Sequence, residues 1–260
     1  MLTFVGLGLY DERSITVAGR DAIAEADRVV AEFYTSRLVG TTLDRLEATH
    51  ETTIDVLDRE AVEIAPDALL TAAETRDVVF LTGGDAMIST THVDLRLRAI
   101  DRGVPTQLIH APSVSTAAPG LAGLQNYRFG KATTLPFPGT FGGEGPPQSV
   151  IDTIESNQAQ GLHTLVYLDL DEAGDDALAA DDAAQMLTND LGDALGIVVA
   201  RAGSEEPLVV ADRIDSLATK SFGPPLHILI IPGELHPIEA DALRTLAEAP
   251  NDAVDALESI

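Results

Sequence analysis

Short apolar runs rich in β-branched residues alternate along this chain with longer stretches whose apolar positions recur every three to four residues. Leu2-Thr3-Phe4-Val5 predicts a buried strand running into a Gly6-Leu7-Gly8-Leu9 turn, after which Ser14 predicts the cap of a helix through about residue 26. Residues 28–34 read as a second strand, 52–56 as a weaker third, 61–74 as a helix with Pro66 near its start, 78–81 as a strand, 92–102 as a helix and 105–110 as a strand. The second half repeats the alternation: a helix at 148–160, a strand at 163–170, an acidic helix at 181–191, a strand at 196–200, an extended run at 208–210, a strand at 226–231 and a terminal helix from about 237 to 249. This order predicts an α/β protein with a mostly parallel sheet covered on both faces, in which ligands gather at the carboxyl ends of strands. We place a boundary after residue 111, giving two α/β domains, 1–111 and 112–260.

Two turns fall at such strand ends. In Leu81-Thr82-Gly83-Gly84-Asp85-Ala86-Met87-Ile88-Ser89-Thr90 the paired glycines permit positive φ and close approach of a ligand to the backbone. Asp85 adds an acceptor for ribose hydroxyls or an amino group; taken alone, the same residues also describe a tight turn with an Asp satisfied by its own backbone. The Gly6–Gly8 turn lacks the third glycine of the dinucleotide fingerprint, since Asp11 occupies that position, so a nicotinamide site is disfavoured. Ser113-Val114-Ser115-Thr116-Ala117-Ala118 stands where a helix begins, so its hydroxyls and amides either face a ligand or cap the helix. Residues 136–147, rich in proline and glycine, predict a long loop that could lie over the site, and the acidic stretch 171–182 reads as a solvated face.

Composition narrows the class. At 260 residues with 45% hydrophobic content the chain can bury a substantial core. It has no run of about 18 apolar residues and no basic-then-apolar leader, so we expect a cytoplasmic protein without a membrane partner. The absence of cysteine removes disulfides, thiolate zinc sites and cysteine nucleophiles. With 42 acidic against 16 basic residues, and Lys131 and Lys220 its two lysines, the chain repels itself strongly at low ionic strength, which points to a halophilic source. No basic patch with interleaved aromatics is present to neutralise phosphates, so nucleic acid is not an expected partner.

Several stretches together resemble the diphthine synthases of the tetrapyrrole methylase superfamily. They are Phe4-Val5-Gly6-Leu7-Gly8-Leu9, Ala31-Glu32-Phe33-Tyr34-Thr35-Ser36, Leu81-Thr82-Gly83-Gly84-Asp85-Ala86, Gly123-Leu124-Gln125-Asn126-Tyr127-Arg128-Phe129-Gly130, Ala200-Arg201-Ala202-Gly203-Ser204 and Pro224-Pro225-Leu226-His227. The Gly-Gly-Asp loop marks the superfamily, and the Glu-Phe-Tyr-Thr-Ser and Leu-Gln-Asn-Tyr-Arg-Phe-Gly segments are similar to diphthine synthases in particular. The resemblance implies two α/β domains of the tetrapyrrole methylase type with an S-adenosylmethionine cleft between them, in a homodimer from a halophilic archaeon. It implies methylation of the amino group on a 3-amino-3-carboxypropyl-histidine of translation elongation factor 2, with S-adenosylhomocysteine as the other product and no metal. The cofactor contacts it implies are Leu9, Asp85, Ile88, Ser113, Val114, Leu168, Ala202 and His227.

Displacement at a sulfonium needs alignment and exclusion of water, with no covalent intermediate, and the attacking amine must be neutral. We expect Tyr34 and Glu32, at the end of the second strand, to face the acceptor, the ring stabilising ammonium charge by cation–π attraction; a core tyrosine beside a solvated glutamate fits the same residues. His92 and His110 read as structural, and His227 without the resemblance would be a core histidine. A tetrapyrrole-directed methylase and a catalytically silent nucleotide-binding module are the competing readings.

Overall fold

The computed structural model describes residues 1–140, 142–143, 145–171 and 176–259. The chain forms two compact units, Met1–Val114 and, among the described residues, 115–171 with 176–259.

The first unit runs β1 (Leu2–Gly6), α1 (Val17–Glu25), β2 (Arg28–Glu32), α2 (Leu43–His50), β3 (Ile54–Val56), α3 (Asp67–Thr75), β4 (Val78–Thr82), α4 (His92–Asp101) and β5 (Thr106–Ile109). Its sheet has the order β3-β2-β4-β1-β5 and is parallel throughout. Both faces are covered, which is why β1 and β4 are buried along their whole length instead of alternating. The pleat sends Leu2, Phe4, Val30, Val78 and Phe80 to one face, against Leu70 of α3 and Leu95 of α4. It sends Val5, Val29, Val79 and Leu81 to the other, against Ile23 of α1 and Leu46 of α2. Phe4 and Phe80 meet edge to face at 5.6 Å, an arrangement worth about 0.5–1.5 kcal/mol beyond area burial.

Neighbouring strands β1 and β4 hand the chain on in opposite directions. After β1 it passes to α1 and β2, after β4 to α4 and β5, and these two helices lie on opposite faces. The carboxyl ends of β1 and β4 therefore form a topological switch point.

Local differences from the expected elements have physical causes. Thr16, not Ser14, caps α1, its side chain accepting from Gly19 N at 3.1 Å, while Ser14 Oγ donates to Leu9 O at 2.6 Å. The helix expected over 61–74 breaks before Pro66, a position that disfavours helical backbone in Ala65, into a π-helical turn Glu60–Ile64 and α3. The strand expected to reach residue 34 ends at Glu32.

The second unit contains α5 (from Val114 to Ala122), β6 (Thr133–Leu135), α6 (Gln148–Gln158), β7 (Thr164–Leu168), α7 (Ala180–Leu191), β8 (Leu195–Ala200), β9 (Leu208–Arg213), α8 (Ile214–Leu217), β10 (His227–Ile231), α9 (Pro237–Leu246) and α10 (Asn251–Asp255). Its sheet order is β6-β7-β10-β8-β9. Only β6 and β7 run parallel; β10 is antiparallel to β7 and β8, and β8 to β9. The expectation of a mostly parallel sheet is thus corrected for this half. Seven residues, 201–207, join β8 to β9, too few for a parallel crossover. Leu135, Val166, Val198 and Leu229 form its core with Ile154 of α6 and Leu187 of α7.

Within α5, Pro119 cannot donate to Ser115 O, and Asn126 Nδ2 donates to that carbonyl at 3.4 Å. In the expected loop 136–147, Phe141 and Glu144 lie outside the described residues, and the rest carries no helix or strand until α6 starts at Gln148. In the acidic stretch 171–182, Glu172 to Asp175 lie outside the described residues.

Candidate active site

At the switch point the turns after β1 and β4 are joined by a two-bond bridge: Gly84 N donates to Gly8 O at 2.7 Å and Gly8 N to Gly84 O at 3.1 Å. Both glycines have positive φ, +76° at Gly8 and +69° at Gly84, which most L side chains avoid. Beneath the bridge, Gly6 is the point of closest approach. A Cβ there would lie 2.5 Å from Gly84 O, 2.9 Å from Ala111 Cβ and 3.1 Å from Asp85 Cα. Three strand-end loops converge on one hydrogen atom.

Asp85 ties the same loops together. It is 7% exposed; Oδ1 accepts from Met87 N at 2.9 Å, and Oδ2 accepts from Ala111 N at 3.1 Å and meets His110 Nδ1 at 2.8 Å. Amide groups donate to both oxygens, so the carboxylate serves as an acceptor, and Nδ1 of His110 carries the hydrogen it donates. The Nε2 lone pair of that ring is then left available, and the His110 side chain is 66% exposed. Of the other expected contacts in this unit, Leu9 is half-buried, Ile88 is 48% exposed, Ser113 is buried and Val114 opens α5.

The candidates for the acceptor side are engaged otherwise. Glu32 is fully buried: its carboxylate accepts from Thr82 Oγ1 and Thr35 Oγ1, each at 2.5 Å, and from Thr35 N at 3.0 Å. His92 Nε2 lies 3.4 Å from Glu32 Oε1, and His92 Nδ1 donates to Ala86 O at 3.2 Å. Its oxygens are taken up by Thr35 and Thr82, so Glu32 fixes the loop floor. Tyr34 is buried, with Arg59 stacked over its ring at 5.2 Å. Burial, then the nearby Glu32 and Glu63, push its hydroxyl pKa upward. Its ring thus already has one cation against it.

In the second unit Leu168, Ala202 and His227 converge through sheet register. β10 pairs Ile228 with Tyr167 of β7 and His227 with Ala200 of β8, so His227 stands between the carboxyl ends of those strands, beside Leu168 and two residues from Ala202. His227 is 7% exposed; its Nδ1 accepts from Ala180 N at 3.0 Å, which puts the hydrogen on Nε2. That nitrogen is buried without a well-formed hydrogen bond, and burial holds the ring's pKa below the ordinary histidine range against the opposing pull of the Pro224 and Gly223 backbone. The second unit therefore carries a neutral N–H donor, costly unless something accepts from it.

The tetrapyrrole (corrin/porphyrin) methylase family model matches residues 1–218. The chain is 63% identical to a diphthine synthase of Halobacterium salinarum, over 98% of this chain and all of that one, and 60% identical to a diphthine synthase of Haloquadratum walsbyi over the whole of both. A crystal structure of diphthine synthase superposes with a TM-score of 0.91 at 36% identity, covering 98% of each chain. The chain belongs to the diphthine synthases of the tetrapyrrole methylase family.

In this methylase the segment 124–130 is anchored from far along the sequence. Gln125 N donates to Glu239 Oε1 at 2.8 Å, His163 Nε2 approaches the same oxygen at 3.2 Å, and His236 N donates to Oε2 at 2.9 Å. Glu239 and His163 are fully buried. Burial alone would raise the Glu239 pKa, but the amides of Gln125 and His236 and the His163 ring hold it below the usual carboxylate range. Sequence reasoning left out both this network and the Asp85–His110 pair of the methylase. For the pair a signal existed, since two strands flanking β1 must bring the residues after them together.

Proposed function

We propose that this methylase transfers methyl groups from S-adenosylmethionine to the amino group of the 3-amino-3-carboxypropyl-histidine of translation elongation factor 2, giving diphthine and S-adenosylhomocysteine. The observation that carries this reading is the full-length identity of 60–63% with relatives named diphthine synthase. The site chemistry fits it. Gly84 offers an open backbone face with nothing within 4 Å of where a Cβ would stand, and His227 offers a buried donor without a well-formed hydrogen bond. Close backbone approach and a fixed donor are both features that nucleoside sites use.

By the resemblance, Leu9, Asp85, Ile88, Ser113, Val114, Leu168, Ala202 and His227 would hold the methyl donor. When bound, that donor supplies a methyl group on a positively charged sulfur. The chain's own part is to orient donor and amine and to keep water out, with Asp85 holding loops and ligand together through its remaining lone pair. The resemblance further suggests a homodimer acting in the cytoplasm.

The test incubates the chain in multimolar salt with labelled S-adenosylmethionine and elongation factor 2 bearing the aminocarboxypropyl-histidine. Methyl mass increments on that histidine are expected. Labelling of a precorrin and not of the factor would refute the reading.

A further inference from the structure

We propose that His110 is the base that removes the proton from the acceptor's ammonium group before methyl transfer, held in the right tautomer by Asp85. This rests on the amine acceptor proposed above. An amine carrying its extra proton has no lone pair to attack with, so some group near the reacting methyl must accept that proton. The Asp85–His110 contact at 2.8 Å has the form such a group takes: a 6% exposed carboxylate side chain fixes Nδ1–H, and the Nε2 lone pair of a 66% exposed imidazole faces outward. The pair sits at the carboxyl ends of β4 and β5, beside the Gly8–Gly84 bridge, where an α/β sheet presents ligands.

The other histidines do not offer this. His50, His92, His163 and His227 are buried, and His236 caps α9, its Nδ1 accepting from Ile238 N. Glu32 is buried and Asp85 is committed to three protein donors. The charged group that meets the His110 ring is Asp85, from the loop after β4; the ring's own segment, Ile109-His110-Ala111-Pro112, and the adjoining Gly6-Leu7-Gly8 contribute no other charge.

The step balances. An ammonium N–H bond breaks and its proton passes to His110 Nε2. The freed lone pair then forms the N–C bond as the C–S bond breaks, so the positive charge moves from sulfur to nitrogen and the sulfonium becomes a thioether. The imidazolium returns its proton to water before the next round.

The experiment compares the full-length chain with His110→Gln and His110→Ala in multimolar salt. It uses elongation factor 2 bearing the aminocarboxypropyl-histidine, measures methylation rates from pH 6 to 10, and titrates S-adenosylhomocysteine by calorimetry. At pH 7, His110→Gln is expected to lose about 10²–10⁴-fold in kcat/KM for the factor, with S-adenosylhomocysteine affinity within about twofold of the parent. The deficit should narrow as pH rises and the solvent itself frees the amine, and added imidazole should restore part of the His110→Ala rate. Rates within about threefold of the parent at pH 7, or a loss constant with pH and untouched by imidazole, overturn the proposal. A parent chain inert on the factor overturns the substrate reading, and this inference with it.

Discussion

Replacing Gly6 by alanine tests whether the convergence at the switch point organises the site. The new Cβ would sit 2.5 Å from Gly84 O, about 0.9 Å inside the 3.4 Å at which ordinary contact begins. The obstructing atoms are backbone and the Cβ of Ala111, so no flexible side chain can swing aside. Overpacking of this kind costs about 1–3 kcal/mol. Moving Gly84 by most of an ångström also stretches its 2.7 and 3.1 Å bonds to Gly8, each worth about 0.5–1.5 kcal/mol. A total near 3 kcal/mol predicts a melting temperature lower by about 6–12 °C for a chain of this size. Thermal circular dichroism in multimolar potassium chloride measures it. Calorimetric affinity for S-adenosylhomocysteine should fall more than about tenfold, a loss of about 1.4 kcal/mol or more, because the displaced Gly84 loop belongs to the proposed site. Gly84→Ala is the control: its Cβ meets nothing within 4 Å, so its cost is the positive φ alone, about 1–2 kcal/mol. The reasoning fails if Gly6→Ala melts within about 2 °C of the parent, or if Gly84→Ala is the less stable of the two.

Acid should weaken the fold through buried histidines. Burial, with Arg20 near His50, Arg128 near His163 and Arg201 near His227, lowers the pKa of these three rings below 6.5, so between those values the unfolded chain binds more protons. Their contribution is complete above pH 6.5 and is lost as pH falls toward the folded values, at up to about 1.4 kcal/mol per pH unit for each proton. His50 has no partner on either ring nitrogen, so His50→Leu should flatten that slope in melts from pH 5 to 8; an unchanged slope would count against the argument. Tyr34→Phe should leave methylation within about twofold of the parent and stability equal or higher, because the hydroxyl is buried and the ring stacks on Arg59; a rate loss beyond tenfold would return Tyr34 to the acceptor. With a net charge of −26, the melting temperature should drop steadily as salt is diluted from about 2 M to 0.1 M, and a salt-independent melt contradicts the halophilic reading.

What the sequence disclosed follows how far each cause extends along the chain. The strands β1 and β4 are apolar because both faces are covered, and Gly6, Gly8 and Gly84 advertise tight backbone approach by residue type alone. Helix α2 went unseen because its buried stripe amounts to Leu46 and His50, one turn of signal in an otherwise charged segment. Strand direction in the second unit is not a local property: alternating helices and strands read alike whether β10 runs parallel or antiparallel to its neighbours. Glu32 illustrates the opposite failure, since a glutamate beside Phe33 and Tyr34 looks solvated until Thr82, fifty residues on, supplies its donor. The Asp85–His110 pair was concealed by the same distance, twenty-five residues bridged by sheet order.

Strand β10 is the last strand of the chain and the middle one of its sheet. A ribosome therefore delivers β7 and β8 well before the strand that must lie between them, so the second sheet cannot close until residue 231 has left the exit tunnel. The first unit faces the same wait on a shorter scale, since β4 must enter between β2 and β1, but it has all five strands by Ile109. Birth order thus sets the hazard: a nascent chain stalled between β9 and β10 presents a finished half beside two open strand edges, the form that invites aggregation and the attention of chaperones.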